Sequence, residues 1–196
     1  MSAKVDDNFS GEIEEIAGDD KVVISYRGGK KEGKTRYISS SGKVLSEIEY
    51  KGDIIHGKVR QFYESGGILS EADYRAGKLH GNFVTYYENG VKQMEAGYVE
   101  GELQGISKTY DEFGDMLTES LYESGRRQGI SKIYYPKAQG GGVYEYAEYD
   151  QGMLKNERLS FYPSGEVMSS TRYDKGRAQS YTKYYNKDGS ERRDLI

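Results

Sequence analysis

Seven tyrosines recur in one register along the chain: Tyr26, Tyr50, Tyr74, Tyr98, Tyr122, Tyr149 and Tyr173. Their spacing is 24 residues, with a single step of 27 between Tyr122 and Tyr149. A period of this size means repeated supersecondary units, each too small to bury a face alone. Seven positions after each tyrosine comes Gly33, Gly57, Gly81, Gly105 and Gly129, then Asn156 and Ser180. Nine positions later comes Gly42, Gly66, Gly90, Gly114, Gly165 and Gly189. The fifth unit breaks this rule and carries Gly140, Gly141 and Gly142. Gly18, with Phe9 in the anchor place, reads as an eighth, degenerate unit.

Residues 81–98, GNFVTYYENGVKQMEAGY, give the unit's fold. Asn89-Gly90 between two alternating runs predicts a hairpin with a two-residue type I′ turn. Ser41-Gly42, Ser65-Gly66, Ser164-Gly165 and Asp188-Gly189 occupy the same place. The second connection, Arg75 to His80 and its equivalents, reads as longer. The expected fold is all-β: an elongated, single-layer antiparallel meander of about eight hairpins with a 24-residue period. About sixteen strands at ~4.8 Å give a rod of roughly 75 Å. Residues 1–8 read as a tail and 9–196 as one array with an irregular hairpin at 135–143.

A two-residue turn sets the register. It places Phe62 opposite Leu69, Arg60 opposite Glu71, and Lys58 opposite Asp73. The preceding unit gives Ile38 with Leu45, Arg36 with Glu47, and Lys34 with Glu49. The unit at Gly105 gives Tyr110 with Leu117 and Lys108 with Glu119. Such pairs contribute roughly 0.2–1 kcal/mol each. The same register sets Tyr74 opposite Gly57, Tyr98 opposite Gly81 and Tyr122 opposite Gly105. Each ring is expected to cover the gap above its glycine.

The pattern Gly-x4-aromatic-aromatic-x2-Gly-x7-Tyr-x2-Gly-x3-Gly resembles the MORN-repeat variant of bacterial YwqK-type proteins. Residues 78–105 are a close instance, and the likeness extends over nearly the whole chain from about Phe9. It departs in lacking tryptophan and in losing the anchor glycine at Asn156 and Ser180. The resemblance implies an elongated antiparallel sheet and a non-enzymatic binding role, with many members labelled antitoxin or immunity-type. Other MORN arrays are linked to membranes and scaffolding. It supplies no catalytic residues.

Composition narrows the chemistry. Net charge is −4 and the pI is near 5.4, against a general nucleic-acid binder. There is no cysteine, so no disulfide, thiolate metal site or cysteine nucleophile. No apolar run approaches the ~20 residues of a membrane span. The N-terminus lacks the plan of a signal peptide, which fits a bacterial cytoplasmic protein, or a periplasmic one whose leader has been removed.

Gly28 to Thr35 matches the P-loop spacing, yet that chemistry needs a following helix, and a strand is predicted there. His56 and His80 both precede an anchor glycine; two histidines fall short of a zinc ligand set, and they read as polar loop residues. Glu47, Glu71 and Glu119 answer Arg36, Arg60 and Lys108 across the strands, while Glu95 reads as solvated. No cofactor, metal site or catalytic constellation is expected.

Candidate binding residues fall in two places. Tyr63, Tyr87, Tyr135 and Tyr162 stand among Ser46, Ser70, Thr85, Thr109, Ala72 and Ala96. Such a mixture of rigid rings and small hydroxyls suits a contact surface, and equally suits packing between repeats. The fifth hairpin, with Pro136 and the triple glycine, is flanked by Tyr134, Tyr135, Tyr144 and Tyr146. Insertions into a repeat often carry function. The expected partner is a protein, a toxin or effector encoded nearby, with membrane lipid as the alternative. Acidic residues gather in 1–20 and basic ones in 172–193, an asymmetry that steers an oriented partner.

Overall fold

The computed structural model describes residues 5–192. Every extended element is a β-strand; one short 3₁₀ turn is the sole helical segment among the described residues. The chain divides into two compact units. One comprises the residues up to Val91 with Tyr98–Gly101; the other comprises Lys92–Gly97 and the residues from Glu102 onward.

The first unit contains β1 (Gly11–Ala17), β2 (Asp20–Arg27), β3 (Lys30–Ile38), β4 (Val44–Lys51), β5 (Ile54–Phe62), β6 (Ile68–Arg75) and β7 (Lys78–Tyr86). Each pairs antiparallel with its sequence neighbour. Next come β8 (Lys92–Val99), β9 (Glu102–Leu103), β10 (Gly105–Tyr110), β11 (Met116–Glu123), β12 (Arg126–Tyr134), β13 (Val143–Asp150), β14 (Met153–Phe161), β15 (Val167–Asp174), β16 (Arg177–Ala178) and β17 (Lys183–Tyr184). In the second unit β10 to β15 form a continuous meander, with β8 beside β10 and both β16 and β17 beside β15. No second layer of elements covers the sheet in either unit among the described residues. The core is accordingly thin: Val22, Val23, Ile24, Ala72, Ala96 and Ala147 are its buried apolar members, joined by Thr35, Ser70, Ser120, Ser131, Ser160 and Thr171.

The predicted register holds at its charged and glycine positions. Arg60 faces Glu71, Lys58 faces Asp73 and Tyr74 faces Gly57. Arg36 faces Glu47, Lys34 faces Glu49 and Lys108 faces Glu119. It fails at the apolar pairs, because the two kinds of turn are exchanged relative to expectation. Ser65-Gly66 is not a two-residue turn. Gly66 N–H donates to Tyr63 C=O at 2.8 Å and Tyr63 N–H to Gly67 C=O at 2.8 Å, enclosing three residues. Only Gly66 has positive φ, as in a type I turn closed by a left-handed glycine. The odd residue shifts the pairing by one, and a bulge restores it. Phe62 faces Ile68 while Gln61 faces Ser70, leaving Leu69 as the extra residue. Ile38 likewise faces Val44 rather than Leu45, and Tyr110 faces Met116 rather than Leu117.

The connection read as longer is the tight one. Arg75 pairs with Lys78 across Ala76 (φ 50°) and Gly77 (φ 81°), a type I′ turn. Successive tight turns are tied together. Gly77 N–H donates to Ile55 C=O, Gly101 to Leu79 and Gly125 to Leu103, at 2.8–2.9 Å. A side chain reinforces each tie. Ala76 N–H donates to His56 Nδ1 and Glu100 N–H to His80 Nδ1, both at 3.4 Å; Ser124 N–H donates to Gln104 Oε1 at 3.0 Å. The two histidines thus serve as backbone acceptors, in a position that glutamine fills elsewhere.

The anchor glycines also have a different reason from the one expected. Opposite Asp73 the partner strand fits three residues, His80, Gly81 and Asn82, into the space of one. Gly81 takes φ 118°, and a Cβ there would lie 2.9 Å from Asp73 Cβ. Asp73 Oδ2 accepts from Asn82 N–H at 3.1 Å. At Gly57 the intruding group is Glu49, whose Oε2 accepts from Lys58 N–H at 3.0 Å. At these two glycines the nearest neighbour is an acidic side chain of the preceding strand, not the tyrosine opposite; at Gly33 and Gly129 it is Ser25 and Leu121, and at Gly105 nothing lies within 4 Å. Asn156 keeps the bulge at φ 58°, since asparagine tolerates the left-handed region. At the N-terminus the partner of Tyr26 is Gly11, not Phe9; the Phe9 ring stands 6.1 Å from the Tyr26 ring.

Candidate binding surfaces

The tyrosines of the hydroxyl-rich face hold the repeats together. Tyr63 Oη donates to Tyr86 C=O at 2.6 Å, Tyr135 to Phe161 C=O at 2.8 Å and Tyr162 to Tyr185 C=O at 2.8 Å. Each reaches from the base of one hairpin loop to the base of the next. Tyr87 occupies the same place, its N–H donating to Val91 C=O. A neutral hydrogen bond of this kind contributes about 0.5–1.5 kcal/mol.

The fifth hairpin is an ordered departure from this plan. Tyr135 N–H donates to Gly142 C=O at 2.8 Å, so six residues stand where Glu64, Ser65 and Gly66 stand earlier. Pro136 opens a 3₁₀ turn, Lys137–Gln139, which Gly140 closes at φ 109°. Tyr135 and Tyr144 rings meet edge-on at 5.2 Å and 73°. An opening of about 450 Å³ lies beside them, lined by Asp115, Met116, Tyr134, Tyr135, Lys137, Gly140 and Gly141. Lys137 Nζ stands 3.8 Å from Asp115, and its side chain is 81% exposed. Tyr146 is not part of this cluster: it pairs with Lys132 and Leu159 on the face opposite Glu145. Tyr63, Tyr87 and Tyr162 stand at the bases of other loops.

The charged face carries a ladder. Glu47 meets Lys34 at 3.2 Å and Arg36 at 3.3 Å; Arg60 meets Glu71 at 2.8 Å. Glu95 is not simply solvated. Lys92 Nζ and Tyr110 Oη both donate to it at 2.7 Å. These bonds hold its carboxyl below the usual range. Burial, then the Glu95 hydrogen bond and charge, push the Tyr110 hydroxyl up to about 12. The P-loop spacing forms no phosphate cradle: Gly28-Gly29 is a hairpin turn, and β3 carries Thr35, 1% exposed, into the sheet.

One surface continues the hydroxyl-rich face past the residues named for it from the sequence, of which Thr109 alone lies in it. A groove of about 300 Å³ in the second unit runs over Thr109, Thr118, Ser107, Ser120 and Ser131, with Arg127 at its edge. The legible signal was the pair of positions two after each anchor glycine and two before each anchor tyrosine. No group of three or more histidine, aspartate or glutamate side chains among the described residues is disposed to hold a metal ion. No helix among them is long and apolar enough to cross a membrane. Arg193, at the end of the basic segment, and residues 1–4 lie outside the described residues.

No curated protein gives a significant match to the chain. Three consecutive stretches, residues 31–51, 55–76 and 79–100, match the family described as MORN repeat variant. The first two coincide with the β3–β4 and β5–β6 hairpins, and the Tyr–Gly spacing continues beyond all three. Over these three stretches the chain carries MORN repeats of the variant type.

Proposed function

We propose that this chain is a non-enzymatic protein-binding array that neutralises a bacterial toxic effector by direct contact, in the manner of an antitoxin or immunity protein. MORN repeats form binding scaffolds for proteins or membranes. The reading rests on the fifth hairpin. The repeat explains three loop residues there, and six are present. The added residues set Lys137 into solvent beside a paired Tyr135 and Tyr144 and an open hollow. Aromatic anchors next to a hollow are the features that concentrate binding energy.

The test is co-expression with the product of the neighbouring gene. A one-to-one complex that relieves growth arrest is expected. Replacing Pro136–Gly141 by Glu-Ser-Gly, the loop of Glu64–Gly66, is expected to weaken the complex while the melting temperature holds. The alternative is lipid association through Arg172, Lys175, Arg177 and Lys183, all exposed. Absence of a complex, with anionic-vesicle binding that falls steeply with salt, overturns the antitoxin reading in its favour.

A further inference from the structure

The groove of the second unit is a grid of cross-strand rows. The middle row runs Ser107, Ser120, Ser131, Ala147. The flanking row runs Met94, Thr109, Thr118, Ile133, Glu145. At the tight-turn end stand Tyr122, Arg127 and Tyr149. Partners in a register share a face, so all of these side chains rise on the same side. Lys132, next to Ser131 along the strand, also borders the groove, although strand alternation sends its side chain to the face of its partner Glu119.

Two observations mark this as more than a gap in packing. Ser131 is 8% exposed, lines the groove, and its Oγ has no hydrogen-bond partner in the protein. A buried hydroxyl left so costs free energy, which a water or a ligand group in the groove would relieve; Thr35 Oγ1, in the same row of the first unit, is likewise without a partner. Arg127 is the second. At its position the neighbouring steps carry Leu79, Leu103 and Leu154, while the step at Lys31 also holds a cation, 5.2 Å over the Tyr50 ring. Its Nε donates to Tyr122 Oη at 3.3 Å and Nη1 to Tyr149 Oη at 3.1 Å. The guanidinium lies 5.2 Å from the Tyr149 ring centre. Arginine has five N–H donors, so three remain, held in a fixed plane at the groove's edge.

We infer that this groove binds a carboxylated sugar: a single carboxylate on the Arg127 fork, and hydroxyls over the serine and threonine floor. One cation matches one negative charge. A dianion is disfavoured, because the Glu145 carboxylate lines the same groove and Arg158, 2.6 Å from it, is engaged in that pair rather than turned to a second negative charge. Hydroxyl floors both donate and accept, which suits a ligand whose groups do the same. The volume is at the small end for ligand pockets, the size of one ring. This site is separate from the fifth-hairpin surface, and its success or failure leaves that reading untouched.

Calorimetry on the whole chain tests it, with D-glucuronate, D-glucose, acetate and inorganic phosphate as probes. Glucuronate is expected to saturate one site, with glucose and acetate each about tenfold weaker or more, since each offers only half of the contacts. Arg127→Leu, which restores the residue of the neighbouring steps, is expected to abolish binding without lowering the melting temperature. Arg127→Lys keeps the charge but not the fork, and is expected to bind weakly. Ser131→Val fills the floor and is expected to exclude the sugar. The inference is overturned if glucuronate gives no saturable binding, if phosphate or acetate binds as tightly, or if folded Arg127→Leu binds unchanged.

Discussion

In the first unit the middle row of the sheet reads Ile24, Thr35, Ile48, Val59, Ala72 and Phe83. In the second unit the same repeat positions hold Ser107, Ser120, Ser131 and Ala147, followed by Arg158 and Thr171. The hairpins, tight turns and anchor tyrosines on either side are alike. Apart from Thr35 the first row is filled by hydrocarbon, and the second leaves a groove floored by hydroxyls. One backbone plan thus supports two economies. The hydrogen-bonded ladder and the Tyr–carbonyl ties build the sheet in both, and the row contents decide whether a face is spent on cohesion or left open to a ligand.

The largest expected effect tests whether that row carries the first unit. Ile24 is 4% exposed. Ile24→Ala is expected to cost about 2–4 kcal/mol in denaturant unfolding, against less than about 1 kcal/mol for Ser120→Ala. Equal costs would erase the distinction between the two rows.

Next in size are the anchor glycines. A methyl at Gly81 meets Asp73 Cβ at 2.9 Å, whereas at Gly105 it meets nothing within 4 Å. Both positions have positive φ. Gly81→Ala is expected to cost about 2–3 kcal/mol and Gly105→Ala about 1 kcal/mol, the difference being the crowded bulge. If Gly57→Ala disturbs Tyr74 rather than Glu49 in NMR spectra, the ring-over-glycine account returns.

Ser131→Ala sharpens the comparison in the other direction. It removes a buried hydroxyl that has no partner, so stability is expected to hold or to rise by about 1 kcal/mol. A loss of that size in thermal unfolding would mean that the hydroxyl is satisfied within the fold.

The smallest effect is read by pH. Tyr110 has its folded pKa raised above the ordinary 10.0, to about 12. Its contribution is therefore complete below pH 10 and is lost as pH rises from 10 through 12. Glu95 is depressed, so its contribution is present above the ordinary carboxylate range and is lost as pH falls through the folded value. Glu95→Gln is expected to flatten both limbs. It should also lower the Tyr110 midpoint in ultraviolet titration without returning it to 10, because burial is the larger cause. An unmoved midpoint would remove Glu95 from the account.

The sequence determined what is periodic. The 24-residue spacing, the alternation and the turn glycines require an antiparallel meander, because each is a local consequence of backbone conformation or of strand period two. It also determined the charged register at Arg60–Glu71 and Lys58–Asp73, although by two offsets that cancel: a turn one residue longer than expected and a bulge at Leu69. Only the tertiary structure decided which turn is tight, since Ser-Gly and Ala-Gly are both acceptable locally and the ties between stacked turns make the choice. It alone showed the Asp73 and Glu49 carboxylates against the anchor bulges, Tyr63 and Tyr135 reaching carbonyls one repeat onward, and Glu95 bound by Tyr110. Each of these joins residues from different hairpins. Such contacts depend on how side chains share a face after the strands have paired, and no single repeat of the sequence contains that information.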